Sequence, residues 1–92
     1  MKTYTLRIGK TFFDDHLDRD LLDEFFTIKT TKVTYLVRLW ESDALELLSD
    51  ANYYATESAY MGSEYRALGQ AAKATAAAII KQMTAQGYNF PA

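Results

Sequence analysis

Polar and apolar side chains alternate over residues 3–8, with Thr3, Thr5 and Arg7 set against Tyr4, Leu6 and Ile8. A period of two predicts a half-buried strand, which Gly9 and Lys10 end. Thr11 and Asp14 then match the S/T-x-x-D/E pattern that caps a helix. Phe13, Leu17 and Leu21 recur every four residues, which predicts a short helix over residues 12–21. Residues 25–40 are rich in aromatic and β-branched side chains. Val33, Tyr35, Val37 and Leu39 form one face of a strand there, and Thr34, Leu36, Arg38 and Trp40 form the other. Residues 25–30 read either as a second strand, joined by a hairpin through Lys29–Lys32, or as the first half of one bent strand. No Gly or Asn marks a turn between them.

Behind this segment the period changes to that of a helix. Ser42 or Asp43 opens a second helix, with Asp43 and Glu46 as a variant of the capping box. Ala44, Leu48, Ala51 and Ala55 give its buried stripe, flanked by Leu45 and Leu47, and the pattern fades near residues 56–60. Gly62 and Ser63 break the chain, and Ser63 is the expected N-cap of a last helix over residues 64–86. Leu68, Ala72, Ala76, Ile79 and Met83 form the core face of that helix. Gly87 stands where a left-handed C′ residue is needed, with Tyr88 placed for the Schellman contact. The expected architecture is β-α-β(β)-α-α. It is an α+β fold, with a small, mostly antiparallel sheet of two or three strands and three helices on one face. Residues 1–92 read as a single domain. Its expected core holds Tyr4, Leu6, Ile8, Phe13, Leu17, Val33, Tyr35, Val37, Leu48, Leu68, Ile79 and Met83.

Composition supports a folded chain, since 49% of the 92 residues are apolar and 14% aromatic, whereas disordered segments are poor in both. There is no cysteine, so no disulfide framework is available. The front of the chain lacks the apolar run of a signal peptide. These features together predict a cytoplasmic protein. The apolar run Ala76–Ile80 is too short to span a bilayer, so no membrane partner is expected. The net charge of −2 conceals segregation: residues 1–10 and 25–40 each carry +3, whereas residues 11–24 and 41–60 each carry −5. The predicted strands are basic and the first two helices acidic.

Three groups of side chains have chemical potential. The first is Asp14 to Asp20, which contains the single histidine, His16. On a helix His16 and Asp20 share a face and make two metal ligands, to which Asp15 and Asp50 are the nearest additions. Zinc needs three or four ligands from converging elements and calcium six or more oxygens, and neither pattern is present. Pairs four residues apart, Asp15 with Arg19 and His16 with Asp20, explain the same residues as helix surface. The second group is Ser49, Asp50 and Tyr53, neighbours on one helical surface, which reads first as ordinary tyrosines at the edge of the core and second as a surface for a protein partner. The third is the outward sheet face, with Thr3, Thr5, Arg7, Thr34 and Arg38 beside Leu36 and Trp40. It reads as a binding face around Arg38 and Trp40, or as a face covered by a helix or the tail. Stacking on single-stranded nucleic acid is a further use, but the acidic helices argue against a nucleic-acid partner. Ala67, Ala71, Ala74 and Ala78 form a stripe of small residues, expected first at a contact with the second helix and second at a homodimer seam. No phosphate-binding glycine loop, Cys-x-x-Cys or His-Glu-x-x-His is present, and no cofactor is implied.

Phe13-Asp14-Asp15-His16-Leu17-Asp18-Arg19-Asp20-Leu21 and Leu47-Leu48-Ser49-Asp50-Ala51-Asn52-Tyr53-Tyr54 together resemble a family of small bacterial and phage proteins of unknown function. Those carry an F-Y-x-D-H-x-x-R-x-L-like segment, a β-rich segment and an L-x-S-D-A-x-Y-Y-like helix, in that order. Leu22 and Asp23 depart from the pattern, where a proline or glycine turn is expected. The resemblance implies a phage or mobile-element context but no mechanism. It also implies that His16, Arg19, Ser49, Asp50 and Tyr53 converge between two helices, as a hydrogen-bond network or a ligand pocket. The expectation from the whole chain is a non-enzymatic protein-binding module. The alternative is a metal-dependent or small-ligand site centred on His16, near the Ser49, Asp50 and Tyr53 face.

Overall fold

The alternation near the front of the chain becomes strand β1 (Thr3–Gly9), in which Tyr4, Leu6 and Ile8 are buried. A computed structural model describes residues 2–16 and 26–91, without the side chains of residues 14–16, 26 and 27. Strand β1 leads directly into helix α1 (Lys10–His16). After the segment 17–25 come strands β2 (Phe26–Thr30) and β3 (Thr34–Trp40). Helix α2 (Glu41–Met61), a 3-10 turn (Ser63–Tyr65) and helix α3 (Arg66–Ala85) complete the order. The sheet is antiparallel throughout, in the order β1-β3-β2. This is the expected α+β fold.

In the β1–β3 register Tyr4 faces Leu39, Leu6 faces Val37 and Ile8 faces Tyr35. This apolar face packs on Phe12 and Phe13 of α1, Ala44, Leu47, Leu48 and Ala51 of α2, and Ala72, Ala76, Ile79 and Met83 of α3. Of the expected core, Tyr35 and Leu68 are partly buried at its edge, and Leu17 lies outside the described residues. Val33 is a correction: it is 68% exposed. It sits at the tip of the β2–β3 hairpin, where the Thr34 N–H donates to Thr31 Oγ1 at 3.0 Å and the Thr31 N–H donates to the Thr34 carbonyl at 2.9 Å. A threonine side chain therefore closes this turn without a glycine, and β3 begins one residue later than the alternation suggests.

The helix ends also differ from expectation. Helix α1 starts at Lys10, whose N–H donates to the Val33 carbonyl at 2.9 Å, and the earlier start turns Phe12 as well as Phe13 inward. Helix α2 follows β3 with no loop. Its first N–H, on Glu41, donates to the Lys2 carbonyl at 3.0 Å in place of a side-chain cap. Ser63 opens the 3-10 turn, and α3 has no side-chain N-cap hydrogen bond. At the other end the expectation holds. Gly87, at φ +99°, donates to the Thr84 carbonyl, and Tyr88 donates to that of Met83. These are the two bonds of a Schellman motif.

One long-range contact places α3 against the sheet. Strand β1 is an edge strand, and the outward peptide groups of Thr5 and Arg7 do not face β3. The Gln82 amide accepts from the Arg7 N–H at 2.7 Å and donates to the Arg7 carbonyl at 2.9 Å. The Gln86 amide does the same for Thr5, at 3.0 and 2.7 Å. Residues four apart on a helix lie one above the other, so the two amides line up along the edge as a neighbouring strand would.

Candidate functional site

Helix α2 carries Glu41, Asp43, Glu46, Asp50 and Glu57 and has no Lys or Arg. Its core stripe is Ala44, Leu48, Ala51, Ala55 and Ser58, so residues 49, 53 and 60 fall on the opposite, outward face. Ser49 is exposed there and Asp50 half-buried beside it. Tyr53 is 54% exposed and Tyr60 83%. The Tyr53 ring stands edge-on to Tyr54, with centroids 5.0 Å apart. Tyr54 in turn meets Phe12 of α1 at 6.4 Å, so α1 and α2 touch one turn before His16. The side chain of His16, and Arg19 altogether, lie outside the described residues. So does the metal set that would join them to Asp15 and Asp20.

The outward sheet face has the composition expected of it. Thr5 lies opposite Arg38, Arg7 opposite Leu36 and Thr3 opposite Trp40, and Lys29 of β2 pairs with Leu36 from the other side. Arg7, Arg38 and Lys29 are exposed, Trp40 is half exposed and Leu36 is intermediate. Arg7 Nη1 donates to Thr34 Oγ1 at 3.3 Å. Among the described residues this basic face and the acidic face of α2 belong to different layers of the molecule.

Among the described residues, open cavities lie on two sides of α3. One, of about 470 Å³, lies toward β1 and α1, and Ala71, Ala74 and Ala78 contribute to its wall with Arg7, Thr11 and Gln82. The alanine stripe therefore borders this cavity. The close approach of α3 to α2 runs instead through Gly69 against Ser58, which corrects the first use expected for the stripe. The second cavity, of about 460 Å³, lies in the α2–α3 groove at the Gly62 turn, and Ser58, Ser63, Arg66, Gln70 and Lys73 supply its polar wall. Sequence reading missed this group. Its trace is the continuation of two core stripes: 44, 48, 51, 55, 58 in α2 and 69, 72, 76, 79, 83 in α3. Each stripe ends on a residue without apolar bulk, Ser58 and Gly69.

No family model, curated protein or solved structure matches the chain. No helix among the described residues is long and apolar enough to cross a membrane.

Proposed function

We propose that this chain is a non-enzymatic binding module that contacts a basic protein surface through the outward face of α2. The observation that carries this reading is the exposure of Tyr53 and Tyr60 on a helix with five carboxylates and no cation. Tyrosine gives rigid, amphipathic contact area with few torsions to freeze. The surrounding carboxylates steer an oppositely charged partner and disfavour acidic ones. Ser49 and Asp50 supply a polar rim beside Tyr53.

The test is cross-linked capture from a lysate of the encoding cell, using the native chain, a Tyr53→Ala/Tyr60→Ala double variant and Asp50→Lys. Tyr53 and Tyr60 are exposed, and half-buried Asp50 lies outside the core cluster, so the fold should tolerate the changes. The native chain should capture a basic protein. The double variant should lose at least about tenfold in capture, and Asp50→Lys or added salt should weaken it further. Equal capture by all three chains, or turnover of a small molecule with no captured partner, overturns the reading.

A further inference from the structure

The groove at the Gly62 turn brings together groups whose bonding capacity is unused. Two polar residues of the described chain are buried, Ser58 and Thr75. Thr75 Oγ1 donates to the Ala71 carbonyl at 2.8 Å, which satisfies it within its own helix. Ser58 is only 8% exposed, lines the groove, and has no hydrogen-bond partner among the described residues. A buried hydroxyl without a partner is a cost to stability, and a fold retains such a group more readily where a ligand completes it.

The charged residues that line the groove share one sign. Arg66 and Lys73 lie about two turns apart on α3, with Gln70 between them, and all three line the groove. No carboxylate lines it, and neither cation has an ion-pair partner among the described residues. Arg66 is also the first residue of α3, at the end where the aligned peptide dipoles are already positive. The dipole disfavours a cation there, and the carboxylate of this turn, Glu64, does not line the groove. The 3-10 turn and α3 have no side-chain caps; the Tyr65 and Arg66 N–H groups are spent on the Gly62 and Ser63 carbonyls, so the ligand-binding groups here are the side chains. Gly69 lets the two helices close on each other beside the groove: a Cβ there would collide with both Oγ and Cβ of Ser58.

From this arrangement we infer that the α2–α3 groove binds a phosphoryl oxyanion, held by Arg66 and Lys73 and completed by the Ser58 hydroxyl. Its volume, about 460 Å³, falls in the range of about 300–1,000 Å³ typical of small-ligand sites. Ala55 and Ala59 in the wall suit the carbon part of a phosphomonoester. The site is separate from the outward face of α2 and does not depend on the protein-binding proposal.

The experiment is an amide NMR titration of the whole chain with inorganic phosphate and, in parallel, with phenyl phosphate. Sodium chloride at matched ionic strength is the control. Saturable shifts at Ser58, Ser63, Arg66, Gly69 and Lys73 with either phosphate, absent with chloride, support the site. Tighter binding of phenyl phosphate identifies an ester as the ligand, and equal binding identifies the free ion. An Arg66→Gln/Lys73→Gln double variant should bind at least about tenfold more weakly, since charge-assisted bonds supply most of the affinity. Ser58→Ala should weaken binding about threefold, and Lys81→Gln, an exposed cation elsewhere on α3, should leave it unchanged. Undiminished binding by the double variant, equal loss with Lys81→Gln, or shifts that chloride reproduces would overturn the inference.

Discussion

The two ends of α3 are held in different ways. At its C-terminal end Ile79 and Met83 fill the core, Gln82 and Gln86 bond the β1 edge, and the Schellman motif closes the last turn. Lys2 Nζ also donates to the Gln86 carbonyl at 3.0 Å. At the N-terminal end the packing is close but polar side chains are unspent among the described residues. Gly69 lies against Ser58, the helix lacks a side-chain cap, and Arg66 and Lys73 have no described partner. Completed hydrogen bonding marks the end that holds the fold together. Unused capacity marks the end where binding is to be sought.

The largest effect should come from breaking the tied end. Replacing Gln82 and Gln86 together with Ala removes four side-chain bonds to the β1 edge. At the low end of the net value of a hydrogen bond this costs about 2 kcal/mol, or a Tm drop of about 10 °C for a domain of this size. The bared edge should also give concentration-dependent self-association in sedimentation. Gly69→Ala attacks the open end and should cost about 1 kcal/mol in urea unfolding, because overpacking outweighs the gain in helix propensity. The clash is with both Oγ and Cβ of Ser58, so adding Ser58→Ala should recover part of that loss and adding Ser58→Gly should relieve the clash in full. The smallest effect sharpens the contrast by its sign. Ser58→Ala alone should stabilise the chain by about 0.5–1 kcal/mol, through removal of an unsatisfied buried hydroxyl. A loss of stability in that variant would show that Ser58 is bonded in solution and that the two ends are more alike than they look.

Much of this architecture can be read from apolar periodicity, because burial is what periodicity reports. Strands β1 and β3, the faces of α2 and α3, and the Gly87 terminus all follow from it. The β2–β3 turn does not, because Thr31 closes it with a side-chain bond that composition alone does not reveal. Phe12 was hidden by the early start of α1, which depends on a bond from Lys10 to a residue 23 positions away. Gln82 and Gln86 look like ordinary surface residues until β1 lies beside them. Ser49, Asp50, Tyr53, Arg38 and Trp40 could be placed on their elements from spacing. The Ser58 groove was out of reach, since its defining traits are a missing side chain and a missing partner.

The amides that shield β1 are contributed from 75 and 81 residues further along the chain. A nascent polypeptide therefore emerges with its first strand made and its guard not yet synthesised. Native assembly must wait until α3 has left the ribosome, so the β1 edge stays open for most of this segment's synthesis.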